Sequence, residues 1–204
     1  MIAIIDYRAG NLRSVERALR HLDIDCAITS DAQTILSAER VIFPGVGAAG
    51  SAMDTIRELN LDRIIRDVVE RGTPFLGICL GTQIVLDASE EDTATCLGII
   101  PGTVRRFPDM GLKIPHMGWN TITVSMPHPV FEGIDPDAQF YFVHSYYPDP
   151  ADVANVLART EYGLSFASAL AKGSVVATQF HPEKSGRFGL AILSNFSAWN
   201  GEWA

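Results

Sequence analysis

Residues 75–83 read Phe75-Leu76-Gly77-Ile78-Cys79-Leu80-Gly81-Thr82-Gln83, an apolar run that ends in a cysteine flanked by glycines. Such a run, bounded by a turn signal, predicts a buried strand over 75–78. The G-x-C-x-G at its end predicts the sharp strand-to-helix turn that presents a nucleophile at the C-terminal edge of a sheet. Gly77 and Gly81 would relieve crowding there, and a helix N-terminus just beyond would favour thiolate over thiol. A structural reading stands beside this one, because a lone cysteine in a strand is commonly a buried packing residue. Cys26 and Cys96 lack the flanking glycines and read as packing residues.

Upstream of that stretch the chain alternates short apolar runs with amphipathic segments. A first strand is predicted over 2–5, then a turn and N-cap at Gly10-Asn11, then a helix in which Leu12, Val15, Leu19 and Leu22 fall on one face. A weaker strand over 26–29, a short helix over 31–38, a strand over 40–43, a glycine loop over 44–50 and one or two helices across 51–71 continue the alternation. This is the pattern of an α/β fold with a central, mostly parallel sheet flanked by helices. Beyond about residue 95 the rhythm changes. Segments over 121–125, 140–144 and 175–180, separated by Pro/Gly/Asp turns, predict additional antiparallel strands in the C-terminal half. A final helix is expected over 189–199, with Leu190, Leu193 and Phe196 on one face. No repeat, low-complexity tract or linker interrupts the 204 residues, which read as a single domain spanning 1–204.

A net charge of −8 without any Lys/Arg run argues against a phosphate-backbone partner, so no nucleic acid is expected. The N-terminus lacks a basic n-region and no stretch approaches a membrane span, so the reading is a soluble, cytoplasmic protein with no membrane association. Three cysteines without metal-ligand spacing read as reduced thiols, and neither a metal nor a cofactor is expected.

A cysteine nucleophile needs a base, and the base needs a group that fixes its tautomer and charge. His181-Pro182-Glu183 offers both at the end of the strand predicted over 175–180. Alternation would place Glu183 on the same side as His181, and Pro182 would stiffen the exit. Taken alone, His-Pro-Glu is equally a turn with a solvated carboxylate. An oxyanion formed by attack on a carbonyl wants fixed N–H donors. The amide of Leu80 and the loop Pro44-Gly45-Val46-Gly47 are candidates, although Pro-Gly-x-Gly is also a common loop. Gln83, one helical turn after Cys79, can face the pocket. Glu91 is placed to pair with a substrate ammonium, or is simply part of a solvated acidic run. His21 and His128 read as solvated.

The set G-I-C-L-G-T-Q over 77–83, P-G-V-G over 44–47 and H-P-E over 181–183 resembles the class I (triad) glutamine amidotransferase family over nearly the whole chain. The resemblance implies the flavodoxin-like three-layer fold of that family and a glutaminase activity. Cys79 would be acylated to a γ-glutamyl thioester, with His181 as base and then acid, Glu183 orienting His181, and Gly45, Val46 and Leu80 forming the oxyanion hole. Within the family, the segments 115–120 (Pro-His-Met-Gly-Trp-Asn), 141–146 (Tyr-Phe-Val-His-Ser-Tyr) and 181–186 (His-Pro-Glu-Lys-Ser-Gly) are similar to glutaminase subunits that hand ammonia to a separate (β/α)8-barrel cyclase in histidine biosynthesis.

That similarity implies a heterodimer with the cyclase. Asn11, Trp119, Asn120, Tyr141 and Lys184 would lie at its interface, and Ser145 and Tyr146 would join Gln83 and Glu91 around L-glutamine. Activity without the partner is expected to be weak. Two departures from the family pattern stand out: Thr82, where relatives carry Met or His, and Gly186, where Gln is usual. Other readings are a glutaminase for another acceptor, such as the pyridoxal phosphate or anthranilate synthase subunits, and a non-catalytic binding subunit of the same fold.

Overall fold

The computed structural model describes residues 1–8 and 10–203. Its first half is a run of strand and helix units: β1 (Ile2–Ile5), α1 (Leu12–His21), β2 (Cys26–Thr29), α2 (Ala32–Ser37), β3 (Arg40–Gly45), α3 (Ala49–Glu58), α4 (Leu61–Glu70), β4 (Phe75–Cys79) and the short α5 (Leu80–Ile84). The second half is mostly strand. It comprises β5 (Ala88–Ser89), β6 (Ala94–Thr95), β7 (Gly102–Arg106), β8 (His116–Thr121), β9 (Thr123–Val124), β10 (Gln139–His144), β11 (Tyr146–Pro150), β12 (Val156–Glu161), β13 (Ser165–Lys172) and β14 (Val175–Thr178), closed by α6 (Gly186–Ala198).

The main sheet runs β2-β1-β3-β4-β14-β13-β12-β9. From β2 to β14 neighbouring strands are parallel, and from β14 onward they are antiparallel. Helices cover both faces, which is why the parallel strands are apolar throughout rather than alternating. Ala3 and Ile5 of β1 join the core under α2, α3 and α4, through Ile35, Met53, Ile56 and Ile65. Ile2 and Ile4 join the opposite core, built by Val15 and Leu19 of α1 and Ile192, Leu193 and Phe196 of α6. The three-layer expectation is met. Two smaller sheets, β10-β8 and β11-β7-β5-β6, flank the C-terminal edge.

Several boundaries differ from the sequence reading. The ladder between β3 and β4 continues to Gly45 opposite Cys79, so β3 runs two residues into the stretch read as loop. Helix α3 begins at Ala49 rather than 51, and α6 at Gly186 rather than 189. The strand read over 121–125 is two pieces, because β8 pairs with β10 while β9 leaves to join β12. His128, read as solvated, is 4% exposed. Its Nδ1 accepts from the Val130 amide, and its ring lies against Trp199 and Trp203, burial that pushes it down to about 4. His21 is exposed as read, and Cys26 and Cys96 are buried. Among the described residues no helix is long and apolar enough to cross a membrane.

Candidate active site

Strands β3, β4 and β14 end at one edge of the main sheet, and the motif residues meet there. Cys79 ends β4 with φ 54° and ψ −99°, a conformation that L-residues rarely adopt and that costs on the order of 1–3 kcal/mol. The surrounding contacts enforce it. A Cβ on Gly77 would lie 2.7 Å from the Gly81 carbonyl oxygen, and one on Gly81 would lie 2.3 Å from that of Phe43, so strand, turn and helix close on one another only through glycines. Cys79 is 6% exposed.

His181 follows β14, and its amide donates to the Tyr141 carbonyl. Its Nδ1 meets Glu183 Oε1 at 2.7 Å, both side chains being 1% exposed. The same carboxylate oxygen accepts from Asn11 Nδ2 at 2.8 Å. With Nδ1 committed to Glu183, Nε2 is the nitrogen left for Cys79, and it has no hydrogen-bond partner. Burial pulls the imidazolium down, but the Cys79 sulfur on the Nε2 side and the Glu183 carboxylate on Nδ1 outweigh that pull and raise it to about 9. His181 is therefore protonated at neutral pH.

The folded pKa of His181 lies above the value of about 6.5 for a free histidine. The protonated ring thus stabilises the fold fully below about pH 6.5, and that stabilisation is lost as pH rises through about 9. The thermal midpoint should fall by roughly 5 °C between pH 7 and 9.5, and His181→Gln should flatten the fall. An equal slope in both proteins would place the titration elsewhere.

A cavity of about 270 Å³ opens above the cysteine and is lined by Val46, Gly47, Cys79, Leu80, Gln83, Glu91, Ser145 and Tyr146. The residues read as oxyanion hole and as substrate contacts are thus brought to one place, with Gly45 beside Cys79 in the ladder. Gln83 Nε2 is already used, donating to the Tyr146 carbonyl at 3.3 Å and to Gln179 Oε1 at 3.2 Å, which leaves its Oε1 for a ligand. Glu91 accepts from the Ala49 amide at 2.8 Å, while burial raises its pKa. Thr82 is fully buried behind the elbow, with its hydroxyl on the Gly77 carbonyl at 3.5 Å. A larger concavity, about 830 Å³, lies at the C-terminal segment beside His128 and Trp203 and contains none of these groups. Among the described residues no cluster of His, Cys, Asp and Glu could hold a metal ion.

The residues read as a partner surface divide. Trp119 and Tyr141 are cross-strand partners on β8 and β10, in edge contact at 6.1 Å, and the Lys184 ammonium lies 5.9 Å from the Tyr141 ring. Trp119 is 54% exposed. Asn120 follows on β8. Strand alternation turns it to the opposite face, where its amide bonds the Glu161 carbonyl at 3.0 Å and reaches His116 at 3.3 Å. Asn11 is held on the Glu183 carboxylate. Gly186, at φ 56°, starts α6.

Two residues of the site escaped the sequence reading. Tyr7 stacks on Phe43 and donates to the Val46 carbonyl at 3.4 Å, its phenol pushed up to about 12 by burial. Gln179, fully buried, places Nε2 3.7 Å from the Cys79 sulfur. Each follows the end of a buried strand, Tyr7 after β1 and Gln179 after β14, with no local motif to mark it.

Comparison with known proteins follows the same lines. The family model described as Glutamine amidotransferase class-I matches residues 3–198. A protein named imidazole glycerol phosphate synthase subunit HisH, from Desulfovibrio desulfuricans, is 52% identical over 203 residues, covering 96% of this chain and 93% of its own. A protein of the same name from Nitratidesulfovibrio vulgaris is 50% identical over 206 residues, covering 98% and 97%. A solved structure described as a glutamine amidotransferase superposes with a TM-score of 0.75 at 21% identity, covering 96% of this chain and 99% of its own, a likeness of fold.

Proposed function

The chain belongs to the class-I glutamine amidotransferase family, and from that premise we propose that it is the glutaminase subunit of imidazole glycerol phosphate synthase, with Cys79, His181 and Glu183 as its triad. The observation that carries the chemistry is the convergence of a strained, pocket-facing Cys79 and a buried His181–Glu183 pair at one sheet edge. Relatives about 50% identical over nearly the whole chain carry that name, and support the assignment to this synthase.

In this reading the γ-amide of glutamine lies over Cys79. Sulfur attacks the carbonyl carbon, and the developing oxyanion is met by backbone N–H groups of Leu80 and the 45–46 loop. The C–N bond then breaks as protonated His181 gives its Nε2 proton to the leaving nitrogen, releasing ammonia and leaving a thioester. Water attacks the thioester, neutral His181 takes the water's proton, and the C–S bond breaks to give glutamate. Glu183 holds the ring so that Nε2 faces the sulfur throughout, and Asn11 holds Glu183. Gln83 Oε1 and the Glu91 carboxylate suit the substrate ammonium, with Ser145 and Tyr146 closing the pocket.

The relatives' shared name is that of a synthase subunit, so ammonia is released to a partner, which we take to be a (β/α)8-barrel cyclase making imidazole glycerol phosphate and aminoimidazole carboxamide ribotide. The set of exposed Trp119 and Lys184 with half-buried Tyr141 between them, beside the triad, is the surface proposed for it. A large aromatic side chain standing free next to a cation is the composition of an interface anchor. Mixing the chain with its cyclase should give a 1:1 complex whose glutamate release exceeds that of the chain alone. Trp119→Ala should weaken association at least about 30-fold, roughly 2 kcal/mol, read by titration calorimetry. Unchanged affinity would take Trp119 out of the interface.

A further inference from the structure

A line of buried amides and imidazoles runs from strand β8 to the nucleophile, and its hydrogen-bond directions are fixed. Asn120 Oδ1 accepts from the Thr121 amide at 2.9 Å and Nδ2 donates to the Glu161 carbonyl, so the Asn120 amide cannot be turned over. Nδ2 therefore faces His116 Nε2 as a donor, at 3.3 Å. With Nε2 accepting, neutral His116 carries its proton on Nδ1 and donates to His144 Nε2 at 3.0 Å. His144 is then protonated on Nδ1, which lies 2.7 Å from the Tyr146 carbonyl oxygen. Both ends of the pair demand the same tautomers. Burial pushes His116 down to about 4 and His144 to about 3, so both rings are neutral at neutral pH, as the network needs.

The Tyr146 carbonyl is the pivot. On its other side it accepts from Gln83 Nε2 at 3.3 Å, and a carbonyl can take only a donor there, so the Gln83 amide is oriented as well. The second hydrogen of Gln83 Nε2 goes to Gln179 Oε1 at 3.2 Å. That contact turns the remaining end of Gln179, its Nε2, to Cys79 Sγ at 3.7 Å. Sulfur therefore meets an N–H and not a carbonyl oxygen, and an N–H favours the charged over the neutral form of an acid.

We propose that Gln179 is a further catalytic residue, donating an N–H to the Cys79 thiolate, and that His116 and His144 are positioning residues that set the Tyr146 carbonyl and, through Gln83, the direction of that donor. The proposal rests on reading Cys79 as the nucleophile. The other titratable groups facing Cys79 are His181, backed by Glu183, and the Tyr7 phenol, and none of them is part of the line.

The test is the rate at which iodoacetamide alkylates Cys79 in the full chain as a function of pH, followed on the Cys79 peptide so that Cys26 and Cys96 do not contribute. No glutamine or partner is needed, so a failed glutaminase assay and a failed relay are told apart. Gln179→Leu removes the donor. Its profile should move up by about one pH unit, a tenfold loss of rate at neutral pH. Gln179→Glu keeps the shape and the contact with Gln83 but turns an acceptor to sulfur, and should move the profile further; it also serves if the leucine variant does not fold. His144→Phe keeps the aromatic packing on Phe107 and Phe166, removes the N–H to the Tyr146 carbonyl together with the acceptor for His116, and should move the profile the same way by less. Profiles for Gln179→Glu at the wild-type pH overturn the proposal. A wild-type profile for His144→Phe overturns the positioning role of the histidines.

Discussion

Replacing Cys79 with alanine is expected to cut glutamate release on the order of 10⁵-fold with the proposed cyclase present, while the protein stays folded, its melting temperature at neutral pH lowered by no more than about 5 °C through the lost support of the His181 charge. The size follows from the number of steps that need sulfur: without it there is no thioester, and His181 and the backbone donors retain only their weak effect on direct attack by water. The small effect on stability follows from the site. Alanine keeps the Cβ that the φ 54° elbow already accommodates, and the sulfur's hydrogen bond is the long one from Gln179. Because the triad acts as a unit, Cys79→Ala combined with His181→Ala should be no slower than the single variant. Steady-state assay of glutamate decides it. Release above about a hundredth of the parent's would assign the attack to another group.

What the sequence disclosed about this site, and what it hid, divide by the distance over which each signal acts. The elbow was legible because part of its constraint is local: a Cβ on Gly77 would meet the Gly81 carbonyl, and that demand is written within five residues. The His181–Glu183 pair is likewise two residues apart. Tyr7 and Gln179 act on the 46 and 79 positions across separations of 39 and 100 residues, and nothing within a few residues of either announces the partner. Strand β8 was read as a motif and not as a strand, since Pro115 and Gly118 interrupt its alternation. Had it been read as one, its period of two would have parted Trp119 from Asn120 at once. The end of β3 was misjudged by two residues for a related reason: Pro44-Gly45 resembles a turn, and only pairing with β4 draws it into the ladder.

Gly189→Ala is expected to be the most damaging single-methyl change in the chain, because of what lies over that glycine. Helix α6 starts on the turn Pro182–Lys184, and a Cβ at 189 would stand 1.9 Å from the Pro182 carbonyl oxygen and 2.8 Å from Ser185 Cβ. Neither neighbour can give way alone. The Ser185 hydroxyl donates to the His181 carbonyl at 2.6 Å and accepts from the Tyr141 amide at 2.9 Å, so the turn is stitched to β10 on one side and carries His181 and Glu183 on the other. Pushing helix and turn apart should cost about 3 kcal/mol, at the upper end for an overpacked methyl, read as a lowered urea midpoint at unchanged slope. A displacement of about 1 Å at His181 and Glu183 should lower kcat roughly 100-fold at temperatures where the variant is still folded. Gly186→Ala, three residues earlier, separates clash from backbone strain: its φ is positive, at 56°, which that of Gly189 is not, and a Cβ there meets nothing within 4 Å. It should cost about 1 kcal/mol and leave kcat near the parent value. If the two alanine variants behave alike, the close approach of α6 to the His-Pro-Glu turn is not what holds His181 against Cys79, and the burden falls on Glu183 and Asn11 alone.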